Sequence, residues 1–248
     1  MKTTLFVDGV PIEAMFPDET VETVLYPLVR RLEEIQRQRL NRLLVAFSAP
    51  PGAGKSTLAR FLETLSPNLQ TLPMDGFHRH QDYLLSHFIQ KDGKTVPMTE
   101  VKGAPETFDL PHLTDKLNAL RSHETLFPVY DRTRHDVIED AVSASAPIIL
   151  MEGIYLLLDE PGWRDLPFDY TIFMEADEDL LKSRVLARRR ATGHDEKEAQ
   201  FLYDTIDRPN ILLCSKSRRS ADLTLRLHRD GTITTLQEAA KWHSFPTL

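Results

Sequence analysis

The chain divides by the rhythm of its apolar positions. Leu5-Phe6-Val7 and Val10-Pro11-Ile12 flank Asp8-Gly9, a two-residue turn signal that predicts a hairpin over residues 1–17. Residues 18–41 follow with a helical period, placing Val21, Val24, Leu25, Leu28, Val29, Leu32 and Ile35 on one face. Pro27 lies inside that pattern, so the helix is expected to kink or restart there. From Leu43 the rhythm changes to short continuous apolar runs, at residues 43–47, 71–74, 148–151, 170–174 and 223–227. Strands that are apolar on both faces belong to a parallel sheet covered by helices. Those helices are expected at residues 56–65, 110–122, 178–191 and 197–206, with Asp177 placed to cap the third. A second turn, Arg229-Asp230-Gly231, precedes a run at 232–236. Residues 90–109 carry no clear pattern and hold Gly93, Pro97, Gly103 and Pro105, which predicts a long functional loop.

Composition narrows the class. At 248 residues, 41% apolar and 27% charged, the chain suits an ordinary α/β domain with a sizeable core. The net charge of −7 argues against nucleic-acid binding driven by overall charge. A single cysteine, Cys214, excludes an intrachain disulfide and a cysteine zinc cluster. The most apolar stretch, 148–158, is interrupted by Glu152 and Gly153 and falls short of the roughly 20 residues a membrane span needs. The N-terminus leads to Asp8-Gly9 rather than to an apolar leader, so a soluble, cytoplasmic protein is expected.

The clearest chemistry lies where the apolar run Leu43-Leu44-Val45-Ala46-Phe47 enters Ser48-Ala49-Pro50-Pro51-Gly52-Ala53-Gly54-Lys55-Ser56-Thr57. This is a strand, a phosphate loop and a helix start. Gly52 and Gly54 let backbone N–H groups turn inward around phosphate oxygens. Lys55 reaches the outer phosphates, and the Ser56 hydroxyl can ligate Mg²⁺. Pro51, Ala53 and Thr57 complete the expected nucleotide-contacting segment. Ala49 stands where such loops open with glycine, so a different backbone entry is expected there.

The loop alone names no substrate. Asn-Lys-x-Asp, the base-reading motif of GTPases, is absent, as is a Leu-Ser-Gly-Gly-Gln transporter signature. Asp75 follows the run at 71–74, on a strand expected beside the loop strand. There a carboxylate could accept a hydroxyl proton or hold Mg²⁺ through water; a simple turn Asp before Gly76 is the alternative. Glu152 ends the run at 148–151 in the manner of a Walker B acid and is a second metal candidate beside Ser56. Lys182, Arg184, Arg188, Arg189 and Arg190 cluster on one helix, with Arg184 and Arg188 on one face. They could neutralise a transferring phosphoryl group, or simply complement the helix macrodipole. His78, His80 and His87 offer no firm tetrahedral metal set and read as loop or acceptor-site polar residues.

Together these segments resemble the pantothenate kinase / uridine kinase / phosphoribulokinase group of P-loop kinases, and most of all a bacterial branch labelled fructose-transport-system kinases. The resemblance runs from residue 42 to 228 through the loop, Leu72-Pro73-Met74-Asp75-Gly76-Phe77-His78, Lys102-Gly103-Ala104-Pro105-Glu106-Thr107-Phe108-Asp109, Pro128-Val129-Tyr130-Asp131 with His135-Asp136, Glu152-Gly153, Asp207-Arg208-Pro209-Asn210 and Ala221-Asp222-Leu223. It implies a P-loop NTPase three-layer sandwich with a mostly parallel five-stranded sheet. An N-terminal extension, residues 1–41, would pack on a kinase domain at 42–248, as a single domain overall.

It further implies ATP and Mg²⁺ as cofactors and a small-molecule hydroxyl acceptor. Asp75 would be the base, and Lys55 and Arg188 the phosphate-handling cations. Lys102, Asp109, Tyr130, His135 and Asn210 would be acceptor contacts. The Tyr130 segment matches neither the pantothenate nor the uridine version fully, so pantothenate-like acids, nucleosides and sugars all remain open. The alternative is an ATP-binding regulatory protein that acts through a partner. The N-terminal hairpin and helix would then be its contact surface or a homodimer interface. RNA binding through the arginine cluster is disfavoured by the net charge, and no membrane partner is expected.

Overall fold

The computed structural model describes residues 1–7, 9–91 and 93–239. Asp8 of the predicted turn therefore lies outside the described residues. The hairpin flanking it forms as β1 (Lys2–Val7) and β2 (Val10–Met15). A helix follows in three pieces: α1 (Asp18–Thr20), a π-helical turn (Val21–Leu25) and α2 (Tyr26–Arg37). The wide turn is the answer to Pro27. Proline has no N–H to give and its ring crowds the carbonyl four residues back, so Tyr26 N–H instead reaches Val21 O, five residues back.

The centre is a six-stranded sheet built from β3 (Leu43–Ser48), β4 (Leu69–Pro73), β9 (Ile148–Gly153), β10 (Tyr170–Ala176), β11 (Leu223–Leu227) and β12 (Ile233–Glu238). Its order is β12-β11-β10-β3-β9-β4. The five strands expected from the apolar runs are parallel, and β12 adds an antiparallel edge after the Asp230-Gly231 turn. One expectation is corrected. β4, which leads to Asp75, is not beside the loop strand β3, because β9 lies between them.

Side chains alternate across this sheet into two cores. Val45, Phe47, Leu150, Ile172 and Leu225 face one side with α2, α3 (Lys55–Thr64) and α6 (Glu178–Ala191). The same cluster takes in Leu5, Phe16 and Val21 of the N-terminal segment, and Phe16 stacks on Phe61 at 4.1 Å. Leu44, Ala46, Ile149, Met151 and Phe173 face the other side with α5 (Leu110–Leu120), Tyr155, Trp163 and Cys214. This is the three-layer sandwich, with helices on both faces.

Other elements depart from the sequence reading. α4 (Gln81–Ser86) precedes the patternless stretch, which the short hairpin of β5 (Phe88–Lys91) and β6 (Lys94–Pro97) opens. A longer hairpin, β7 (Thr125–Asp131) and β8 (Asp136–Ala144), projects beyond the sheet; its half-buried faces give no continuous apolar run. The helix expected at 197–206 is α7 (Glu196–Leu202), which passes through a π turn (Tyr203–Asp207) into α8 (Arg208–Lys216). Pro209 plays the part there that Pro27 plays earlier, with Arg208 N–H reaching Tyr203 O. Asp177 does stand before α6, but it makes no cap hydrogen bond, and its carboxylate pairs with Arg226 at 2.5 Å instead.

Asp169 ties the layers where the sheet begins. Its carboxylate accepts from Leu44 N at 2.9 Å, Arg39 at 2.6 Å and Arg121 at 3.1 Å, joining β3, the end of the N-terminal helix and α5. Removing it strands two arginines and a backbone donor. Asp169→Ala is expected to lower unfolding free energy by about 2–4 kcal/mol in urea titration. A loss below about 1 kcal/mol would show that solvent already satisfies these groups.

Candidate active site

The site lies at the carboxyl ends of the parallel strands, where open α/β sheets receive ligands. Residues 49–54 leave β3 and wrap back to the first turn of α3. Gly52 and Gly54 both take left-handed backbone conformations, with φ of 86° and 82°. Gly52 is also pressed against α6: a Cβ there would lie 2.8 Å from Leu181 O. Only glycine fits that cradle, which brings the basic helix over the loop and sets Arg184 Nη1 3.7 Å from where a Gly54 Cβ would stand. Ala49 is fully buried and is not among the positive-φ residues, so its methyl group packs into the core without the strain that would demand glycine.

Strand register levels the acidic groups with the loop. Glu152 on β9 is opposite Phe47 on one side and Pro73 on the other, one residue before the loop strand ends and two before Asp75. Its buried carboxylate meets Lys55 Nζ at 3.4 Å. Burial would lower the Lys55 ammonium, but Glu152 and then Asp75 outweigh it and hold the group above its ordinary value. Burial would likewise raise the half-buried Asp75 carboxyl; His78, Lys55, Arg132 and Arg188 overcome that and hold it below the usual carboxylate range. A single field thus links the loop lysine, the carboxylate after β4, the tip of the β7–β8 hairpin and the basic helix.

Arg188 reaches this field from α6. Its guanidinium is 3.8 Å from the buried Asp207, while Arg189 grips the same carboxylate with two bonds of 3.1 Å. Asp207 sits where the π turn meets α8, so the bend forced by Pro209 places the anchor of the arginines. Arg190 turns away to Glu196 at 2.7 Å.

Gly76 explains how the β7–β8 hairpin comes so near. Its φ is not positive; a Cβ there would lie 2.2 Å from Pro128 O, so β7 rests directly on the Asp75-Gly76 backbone. That contact sets Arg132 Nη2 3.7 Å from Asp75. A groove of about 740 Å³ opens at Asp75 and runs between this hairpin, β4 and the N-terminal hairpin, past Tyr130, Arg132 and Phe6.

Residues 44–207 match the family described as "Phosphoribulokinase / Uridine kinase family". The chain belongs to this family. It is 37% identical over 240 residues to "Uncharacterized protein YggC" of Escherichia coli K12, covering 93% of this chain and 98% of that protein. It is 27% identical to the pantothenate kinase of Shewanella putrefaciens, covering 75% and 69%. A crystal structure from Silicibacter sp. TM1040, described as a "putative fructose transport system kinase", superposes with a TM-score of 0.72 at 32% identity over 81% of this chain and 98% of that one. The family assignment accounts for the P-loop, the parallel sheet and the helix over the loop.

The acceptor candidates named from the sequence do not all meet. His78 forms a wall: its Nδ1 lies 2.9 Å from Asp75 O, and its ring packs on Phe108 at 4.1 Å and near Tyr130 at 5.3 Å. Lys102 Nζ lies 5.0 Å over the Tyr130 ring and donates to His135 O at 3.0 Å. His135 therefore contributes its carbonyl, aimed by a φ of 54°, while its side chain is exposed. Asp109 is engaged elsewhere, capping α5 and pairing with Arg79 at 3.0 Å. Asn210 touches Gly103 and lines a separate pocket of about 230 Å³ with Val101, Ala104 and Thr205. Arg132 was missed in the sequence; Gly76 stood there only as a turn partner of Asp75, and His78 only as a loop or acceptor-site polar residue.

Gly76→Ala should push β7 off the Asp75 backbone. It is expected to cost about 1–3 kcal/mol of stability and about 100-fold in turnover, with nucleotide affinity nearly unchanged. Wild-type turnover in this variant, measured beside its ATP affinity, would mean the hairpin is not needed at Asp75.

Proposed function

We propose that the protein transfers the γ-phosphoryl group of ATP to a hydroxyl of a small metabolite. The observation that carries this reading is the convergence of Asp75, Lys55, Arg188 and Arg132 at the mouth of the phosphate loop, where an ATP-binding protein without transfer chemistry needs no carboxylate. The amides of residues 51–56 and Lys55 would hold the β- and γ-phosphates. The left-handed loop glycines and the hard oxygen donors Ser56 and Glu152 fit a nucleotide with Mg²⁺, which when bound would neutralise charge on the phosphate oxygens.

The acceptor hydroxyl would approach from the groove at Asp75. As its oxygen bonds to the γ-phosphorus, the bond to the bridging oxygen breaks and ADP leaves. The hydroxyl proton passes to an Asp75 carboxylate oxygen. Because His78, Lys55, Arg132 and Arg188 keep that carboxyl acidic, Asp75 is ionised at neutral pH and accepts the proton late, once bonding to phosphorus has drawn electron density from the acceptor oxygen and made its proton acidic. Arg188, held by Asp207, would face the transferring phosphoryl group.

Asp75→Asn is expected to lower transfer at least about 1000-fold with ATP affinity almost unchanged, whereas Lys55→Ala should weaken ATP binding itself. Near-wild-type transfer by Asp75→Asn, or unaltered nucleotide affinity in Lys55→Ala, would contradict these roles. The pH profile follows from the same charges. A base whose acidity is strengthened loses activity only as pH falls through its lowered value, below the ordinary 3.8, and Lys55 discharges only above 10.5. The rate should therefore stay level between about pH 7 and 9; a basic group titrating in that interval would speak against the assignment.

A further inference from the structure

We propose that the acceptor carries an apolar arm, aliphatic or aromatic, that seats against the N-terminal hairpin while its hydroxyl faces Asp75; this rests on the phosphoryl-transfer reading above. One groove of about 740 Å³ touches both Asp75 and the hairpin, the latter through Phe6, Gly9 and Val10. That volume lies within the about 300–1,000 Å³ of sites that enclose drug-sized ligands. A compact polyol would leave most of it to water. The family match begins at residue 44, so the chain's own N-terminal segment adds this wall to the matched core.

The charged groups of the groove are paired within the chain. Arg132 faces Asp75 at 3.7 Å. Arg60 holds Glu63 at 2.8 Å and reaches Thr71 O at 3.4 Å. Asp131 turns back on the N–H groups of Thr133 and Arg134, at 2.7 and 3.0 Å. The Gln70 amide is likewise engaged, with Ser143 O at 2.7 Å and Ser145 N at 3.1 Å. The surface left beyond Asp75 is mainly apolar: Leu72 from β4, Ile138 and Val142 from β8, and Phe6 and Val10 from the hairpin. Phe6 and Val10 are 66% and 58% exposed, although Leu5 beside them is buried in the core and Phe16 stacks on Phe61. The core thus fixes the hairpin, and the hairpin holds two apolar side chains in water at the groove. An arm packed on them would gain in proportion to the apolar area it covers, and a bare polyol would gain nothing.

Matched pairs that share a hydroxyl head test this with the full chain: glycerol against its phenyl ether, glycolate against phenyllactate, and methyl against phenyl glucoside. Both kcat/KM with ATP and thermal stabilisation of the protein loaded with a non-hydrolysable ATP analogue are measured. The armed member of at least one pair should be preferred by about 10–100-fold. Phe6→Ser, at an exposed position outside the core, should cut that preference about 5–10-fold by raising KM, with ATP affinity within about twofold. Phe6→Leu should keep most of the preference. Met15→Ser, 80% exposed on the same hairpin but off the groove, should keep all of it. Equal turnover of armed and bare members, a preference that survives Phe6→Ser, or no response to any member overturns the apolar-arm site. Stabilisation by armed members that depends on Phe6, with no turnover of any pair, keeps the apolar site and defeats the transfer reading.

Discussion

The ammonium that opens α3 and the carboxylate at the end of β9, 3.4 Å apart, set the terms for the rest of the site. Lys55 is drawn into a partly buried position where a lone cation would be costly, and Glu152 offsets that cost. Because β9 lies between β3 and β4, the same pair faces Asp75 from the other side of Glu152. The Asp75 carboxyl in turn is held below its ordinary value, against the effect of burial, by His78, Lys55, Arg132 and Arg188. Lys55 and Glu152 support each other's burial, and their field extends to Asp75, so a phosphate loop and a proton acceptor share one set of charges.

Backbone constraints deliver these groups. Gly52 admits α6 against the loop, and Gly76 admits β7 against Asp75. Pro27 and Pro209 each end a π turn. The second turn sets Asp207 under the arginines of α6 and Asn210 beside Gly103. The apolar cores hold the sheet that everything is mounted on, and the site depends on Gly52 and Gly76, where a Cβ would meet backbone.

Much of this was legible in the sequence. The runs at 43–47, 71–74, 148–151, 170–174 and 223–227 became parallel strands, since a strand buried on both faces is a continuous apolar word. The loop motif carried its own local geometry. What stayed hidden depends on tertiary contact. Strand order cannot be read from a run, so Asp75 was expected beside β3 when β9 intervenes. The β7–β8 hairpin carries its pattern on half-buried faces, so Arg132 had no address until Gly76 was seen beneath Pro128. Asp177 was a good cap by position, yet a strand-borne arginine, Arg226, claimed it. Asp109 and Asn210 came from resemblance alone; Asp109 pairs with Arg79, and Asn210 lines a different pocket from Asp75.

Cations borne by separate elements hold the Asp75 carboxyl below its ordinary value. Carbon-13 NMR of the Asp75 carboxyl across an acid titration of the full chain measures this directly. The account predicts a midpoint below the ordinary 3.8 that rises when Lys55 is replaced by Met. A midpoint at or above the ordinary value, or one indifferent to the loss of Lys55, would contradict it.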